Sequence, residues 1–176
     1  MKKVYICHPI STTGEFNDSI RVAERIKGIY RTKEVVTEEG DVMGTVNEPK
    51  YSIYAPALNK EINDKSNNPT PAMIYDQDVD NLLSSDIVVI NYTGGDADGT
   101  VLELGMLAGM YEAGTTDLPT VLVYSSNKRA LQPQLHHGVA SGKLNHMVLG
   151  AIDKHFKWCG DEEGMIRKLG ELGDEA

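Results

Sequence analysis

The sequence predicts an α/β fold: a doubly wound, five-stranded parallel sheet with helices on both faces. Three observations predict it. The chain opens as strand, loop and helix, and short β-branched runs then alternate with amphipathic segments along its length. One of those runs, Ile87-Val88-Val89-Ile90, is apolar at every position, as a strand covered on both faces must be. The 176 residues suit a single domain over 1–176, large enough to bury a core without disulfides or a structural metal, with 173–176 as an acidic tail.

Val4-Tyr5-Ile6-Cys7 forms the first strand, ended by His8-Pro9 and followed by the turn and capping residues Ser11 to Gly14. Ile20, Ala23, Ile26 and Tyr30 recur at helical spacing between charged residues, which predicts a helix over residues 17–30. Residues 37–50 are rich in Gly and acidic side chains without a clear period; they read as an extended excursion with room for a short hairpin. Ser52-Ile53-Tyr54-Ala55 is the second strand, stopped by Pro56, and the polar stretch 59–69 reads as a long loop. Thr70-Pro71 starts a helix as N-cap and first helical residue, with Met73, Ile74, Val79, Leu82 and Leu83 as its apolar stripe. After the third strand, 87–90, come a Gly/Asp loop, a helix over 100–113 and a fourth strand, Thr120 to Tyr124. A weaker fifth strand is expected at Met147-Val148-Leu149, and a final helix uses Met165, Ile166, Leu169 and Leu172. The simplest arrangement is the flavodoxin-like order 2-1-3-4-5, which places a ligand crevice outside the carboxyl ends of the first and third strands.

Charge narrows the function. With 17 Lys and Arg against 26 Asp and Glu the net charge is −9, which tells against binding of nucleic acid polymers, since that requires clustered cations. No apolar run is long enough for a membrane span, and the N-terminal residues read as a strand and not as a signal peptide. Two unpaired cysteines, Cys7 and Cys159, favour a reducing, cytoplasmic setting. The adjacent pair His136-His137 has poor metal geometry, so no metal is expected.

The remaining chemistry lies in carboxylates. Glu103 sits among apolar neighbours in Val101-Leu102-Glu103-Leu104, where a carboxylate is either partly desolvated at a site or, with Thr100, half of a helix capping box. Asp96 and Asp98 precede the next helix in the loop Gly94-Gly95-Asp96-Ala97-Asp98-Gly99, which is neither a Walker loop nor a dinucleotide fingerprint. Asp76, Asp78 and Asp80 alternate on one helix; they repel, and at 100° per residue they fan over an arc too wide for all three to face one crevice.

Tyr5 on the first strand, Asp78 in Tyr-Asp-Gln-Asp-Val-Asp-Asn, and Asp98-Gly99-Thr-Val-Leu-Glu103-Leu-Gly together resemble the nucleoside 2-deoxyribosyltransferase family over residues 4–124. The resemblance implies that Glu103 is the nucleophile at C1′ of a 2′-deoxynucleoside and that Asp78 is acid and base for the exchanging nucleobases. It further implies that Asp98 contacts base or sugar and that the Tyr5 phenol orients Glu103. His8 stands where the family carries a small residue and is expected to narrow the pocket or touch ligand. Asp96, Gly99 and Gln134, the last in the segment matching one that relatives lend to a neighbouring subunit, complete the expected substrate contacts. With no Arg between Cys7 and Ile20, an unphosphorylated nucleoside is expected. The implied partners are small deoxynucleosides and free bases, with no cofactor, in a homo-oligomer that is a dimer or a trimer of dimers. Two other readings use the same residues: an N-glycoside hydrolase of nucleosides or nucleotides, and a non-catalytic binder of nucleotide-like ligands.

Overall fold

The computed structural model describes residues 1–38, 40–94, 98–128, 131, 135–136, 139–140 and 144–172. Strand β1 (Lys2–Cys7) leads through the Thr12 N-cap into helix α1 (Thr13–Lys27). Thr12 and Glu15 form a reciprocal capping box, so this helix starts earlier than the expected 17–30, and the Gly28 C-cap ends it before Tyr30. Tyr30, released from it, begins β2 (Tyr30–Val36), which pairs antiparallel with β3 (Val42–Pro49); only β3 and the turn before it fall in the expected excursion 37–50, and β2 precedes it. Strand β4 (Tyr51–Tyr54) follows, and the expected loop at 59–69 is corrected to a short helix α2 (Lys60–Asn63) capped by Asn59, with 3-10 turns on either side.

Helix α3 (Pro71–Leu83) has Thr70 as N-cap and Pro71 at its first position, as the sequence requires. Strand β5 (Ile87–Asn91) is buried throughout, and helix α4 (Asp98–Glu112) and strand β6 (Thr120–Tyr124) follow in order. A small antiparallel pair, β7 (Leu135–His136) and β8 (Val139–Ala140), precedes helix α5 (His146–His155). Strand β9 (Lys157–Trp158) and helix α6 (Glu162–Leu172) end the described chain, and the expected acidic tail at 173–176 lies outside it.

The fifth strand is where the sequence misleads. Met147-Val148-Leu149 lies in α5, whose N-cap Asn145 accepts from Met147 N at 2.9 Å and Val148 N at 3.3 Å. Short apolar runs suit helix and strand alike, and here the Asn cap decides. The fifth strand is β9, two residues paired with Leu122 and Val123.

The main sheet has the order β4-β1-β5-β6-β9 with every pair parallel, which in chain order of its members is the expected 2-1-3-4-5. Strand alternation sorts side chains between two cores. Val4, Ile6, Val89, Leu122 and Tyr124 pack with α1 and α6 residues such as Val22, Ile26, Met165 and Leu169. Tyr5, Cys7, Val88, Ile90 and Val123 pack on the opposite face with Leu82, Leu104, Leu107 and Ile152. The sheet therefore commits Tyr5 and Cys7 to the α3–α4 side before any site chemistry is considered. Among the described residues no helix is long and apolar enough to cross a membrane.

Candidate active site

Tyr5 is opposite Tyr54 in the β1–β4 register, so both rings leave the same face of the sheet and stack with centroids 5.5 Å apart. Each ring carries its hydroxyl to a different carboxylate. The Tyr5 hydroxyl donates to Glu103 Oε1, and the Tyr54 hydroxyl donates to Asp78 Oδ1 at 2.8 Å. Glu103 and Asp78 line one cleft of about 320 Å³ with Gly99 and the apolar side chains of Ile74, Leu102 and Met106. Gly99 leaves that wall without a side chain, with nothing within 4 Å of where a Cβ would stand.

Helix α4 begins at Asp98, so Thr100 is inside the first turn and buried. The capping-box reading of Thr100 and Glu103 is thereby corrected: the Glu103 carboxyl lies against Tyr5 and is not the far half of a cap. Burial pushes Glu103 above the ordinary carboxylate range; the thiol of Cys7 and the phenol of Tyr5 oppose this, and the charge of Asp78 adds to it. Burial likewise raises Asp78, with the Tyr54 hydroxyl opposing. Tyr5 and Cys7 are both pushed up, first by burial and then by Glu103, so each stays protonated and able to donate. The buried, neutral Cys7 thiol donates to the Thr100 carbonyl oxygen at 3.9 Å and is no nucleophile.

Of the three alternating aspartates only Asp78 turns inward, while Asp76 and Asp80 are exposed. Asp98 stands exposed at the start of α4. His8 is not brought to this cleft. It follows Cys7 by one residue and so faces the α1 side, where it lines a separate cavity of about 650 Å³ with Asp18, Arg21, Asn91 and Ser126. Its Nδ1 lies 2.8 Å from the Pro9 carbonyl oxygen, and its Nε2 lies 3.2 Å from Asp18 Oδ2 and 2.8 Å from Asn91 Nδ2. Asp96 and Gln134 are outside the described residues.

Sequence reasoning missed Tyr54, Asn59 and the influence of Cys7 on Glu103. Asn59 had a readable signal, since Asn ahead of Lys60-Glu61 is a helix N-cap. Tyr54 had none, because its place depends on the pairing of two strands distant in sequence. Among the described residues no group of three or more His, Cys, Asp or Glu is placed to hold a metal ion.

The family model described as Nucleoside 2-deoxyribosyltransferase matches residues 29–169, a span that holds Asp78, Asp98 and Glu103 and leaves out Tyr5 and His8. No curated protein matches the sequence. Among solved structures, a conserved protein from Enterococcus faecalis V583 is similar, with a TM-score of 0.66 at 21% identity, over 98% of this chain and 99% of that one. At that identity the likeness concerns the fold alone.

Proposed function

The chain belongs to the nucleoside 2-deoxyribosyltransferase family, a glycosyl-transferring class that acts on small nucleosides and bases, and on that premise we propose that it exchanges the base of a 2′-deoxynucleoside through a glutamyl ester at Glu103. An oxygen of the Glu103 carboxylate bonds to C1′ as the bond from C1′ to the base nitrogen breaks. The electron pair leaves with the base, which takes a proton from Asp78. A second base then attacks C1′ and passes its N–H proton to Asp78, while the electron pair of the ester bond returns to Glu103. Two displacements at one carbon give net retention, the logic of retaining glycosidases.

The observation that carries this reading is the pair of tyrosine-held carboxylates in one cleft. Their environments suit two different tasks. Asp78, raised by burial, keeps a proton to give at a pH where an ordinary Asp has lost it. Glu103 is raised as well, yet the Tyr5 hydroxyl bonds its charged form, with the Cys7 thiol opposing the rise, and together they support the carboxylate that must attack. Asp98 is assigned to base or sugar contact at the start of α4, beside Gly99 in the cleft wall.

The test is incubation with deoxyinosine, with and without adenine. The proposal expects hypoxanthine release coupled to deoxyadenosine formation, with both abolished in Glu103→Ala. Release of hypoxanthine that needs no acceptor and yields no deoxyadenosine would assign hydrolysis instead; turnover unchanged in Glu103→Ala would remove Glu103 from the chemistry.

A further inference from the structure

Asp78 stands at the end of a hydrogen-bond chain that begins at a helix cap. Asn59 caps α2 with its side-chain oxygen, Oδ1, which accepts from Glu61 N at 3.0 Å. This fixes the amide, so Nδ2 faces the other way and donates to the Tyr54 hydroxyl oxygen at 2.9 Å and to Gln77 Oε1 at 2.7 Å. Because the Tyr54 oxygen already accepts from Asn59, its own proton is directed to Asp78 Oδ1 at 2.8 Å. Every step has a defined direction: reversing the amide would break the cap and place an acceptor where Tyr54 needs a donor. The ring cannot drift either, since the strand register stacks it on Tyr5.

We propose that Tyr54 is a positioning residue that sets the direction and the protonation of the Asp78 carboxyl, with Asn59 setting the polarity of the Tyr54 hydroxyl. The role in turnover rests on the reading of Asp78 as the residue that handles the proton of the base. A residue with that task must give up a proton and regain it within one cycle. A donor held on Oδ1 supports the ionised form and leaves Oδ2 to carry the proton, so burial does not lock Asp78 in its neutral state. The other groups facing Asp78 are Tyr5 and Cys7 on β1, which stay neutral, and Glu103 on α4, whose charge opposes that of Asp78. Glu61 on α2 stands one step away, accepting from Gln77 Nε2 at 3.2 Å. Along α3 itself, Asp76 and Asp80 lie toward solvent.

The test is a carboxyl ¹³C NMR titration of the full chain labelled at aspartate, with the Asp78 signal assigned by Asp78→Asn. Tyr54→Phe keeps the stacked ring and removes the donor. Asn59→Asp keeps an oxygen for the cap and turns the other toward Tyr54, drawing its proton away from Asp78. In each variant the Asp78 titration is expected to move to higher pH, and Asn59→Asp is expected to add little in the Tyr54→Phe background. In base exchange, Tyr54→Phe is expected to lower kcat about tenfold with KM little changed, and to move the pH profile upward. An Asp78 titration unchanged in Tyr54→Phe would overturn the inference, with or without turnover. If Asp78→Asn turned over like the parent while the Asp78 titration still moved in Tyr54→Phe, the assignment of base-proton transfer would fail and the hold of Tyr54 on Asp78 would stand.

Discussion

Tyr5→Phe removes a single oxygen from the centre of the site. The ring is fully buried and keeps its stack on Tyr54 at 5.5 Å, so the core loses neither volume nor apolar contact. What is lost is the hydroxyl that donates to Glu103. A hydrogen bond to a charged group contributes roughly 1.5–3 kcal/mol. The lower end of that range corresponds to about tenfold in the ratio of ionised to protonated Glu103. The phenol supports the charged form, so its loss pushes Glu103 further up and leaves less carboxylate on the acid side. Initial rates of base exchange from about pH 5 to about pH 9 should show kcat/KM about tenfold lower on the acid limb, with the deficit closing as pH rises. A deficit of equal size at every pH would refute the reasoning, because Tyr5 would then orient Glu103 without supporting its charge.

Glu103→Gln should trade activity for stability. A carboxyl raised by burial contributes stability that is fully present below the ordinary carboxylate range and is lost as pH rises through its raised folded value. A neutral amide escapes that loss, so the variant should melt a few degrees above the parent at neutral pH, with the gain vanishing in acid. A lower melting temperature at neutral pH would contradict burial as the dominant influence on Glu103. Gly164→Ala tests the α6 packing: a Cβ there would overlap the Cys159 carbonyl oxygen, backbone that cannot yield as a flexible side chain would. The expected loss is about 2 kcal/mol or more in denaturant unfolding, and unchanged stability would refute the close approach.

The sheet was readable because its strands carry their own signal. Val4 to Cys7 and Ile87 to Ile90 are apolar at successive positions, and buried parallel strands need that pattern. Glu103 stood out as an acid among apolar neighbours, and Asp78 belonged to a triplet whose geometry allowed only partial inward facing; both converge on the cleft. Strand β9 was not readable, since two residues carry no period, and the apolar run at 147–149 took its place in the reading. His8 was assigned to the same pocket as its strand neighbours, although one step along a strand reverses the face. Tyr54 was hidden for a different reason: its partners are fixed by register and by the cap on α2, long-range and local constraints that no spacing along the chain displays.

The central claim is a covalent bond between Glu103 and the sugar, and quenched-reaction mass spectrometry tests it most directly. Protein mixed with deoxyinosine in the absence of an acceptor base, stopped in acid and digested, should carry a deoxyribosyl group on the peptide that contains Glu103, and addition of adenine before quenching should discharge it as deoxyadenosine. Base release without any modification of that peptide, or a modification that adenine does not discharge, would contradict the account.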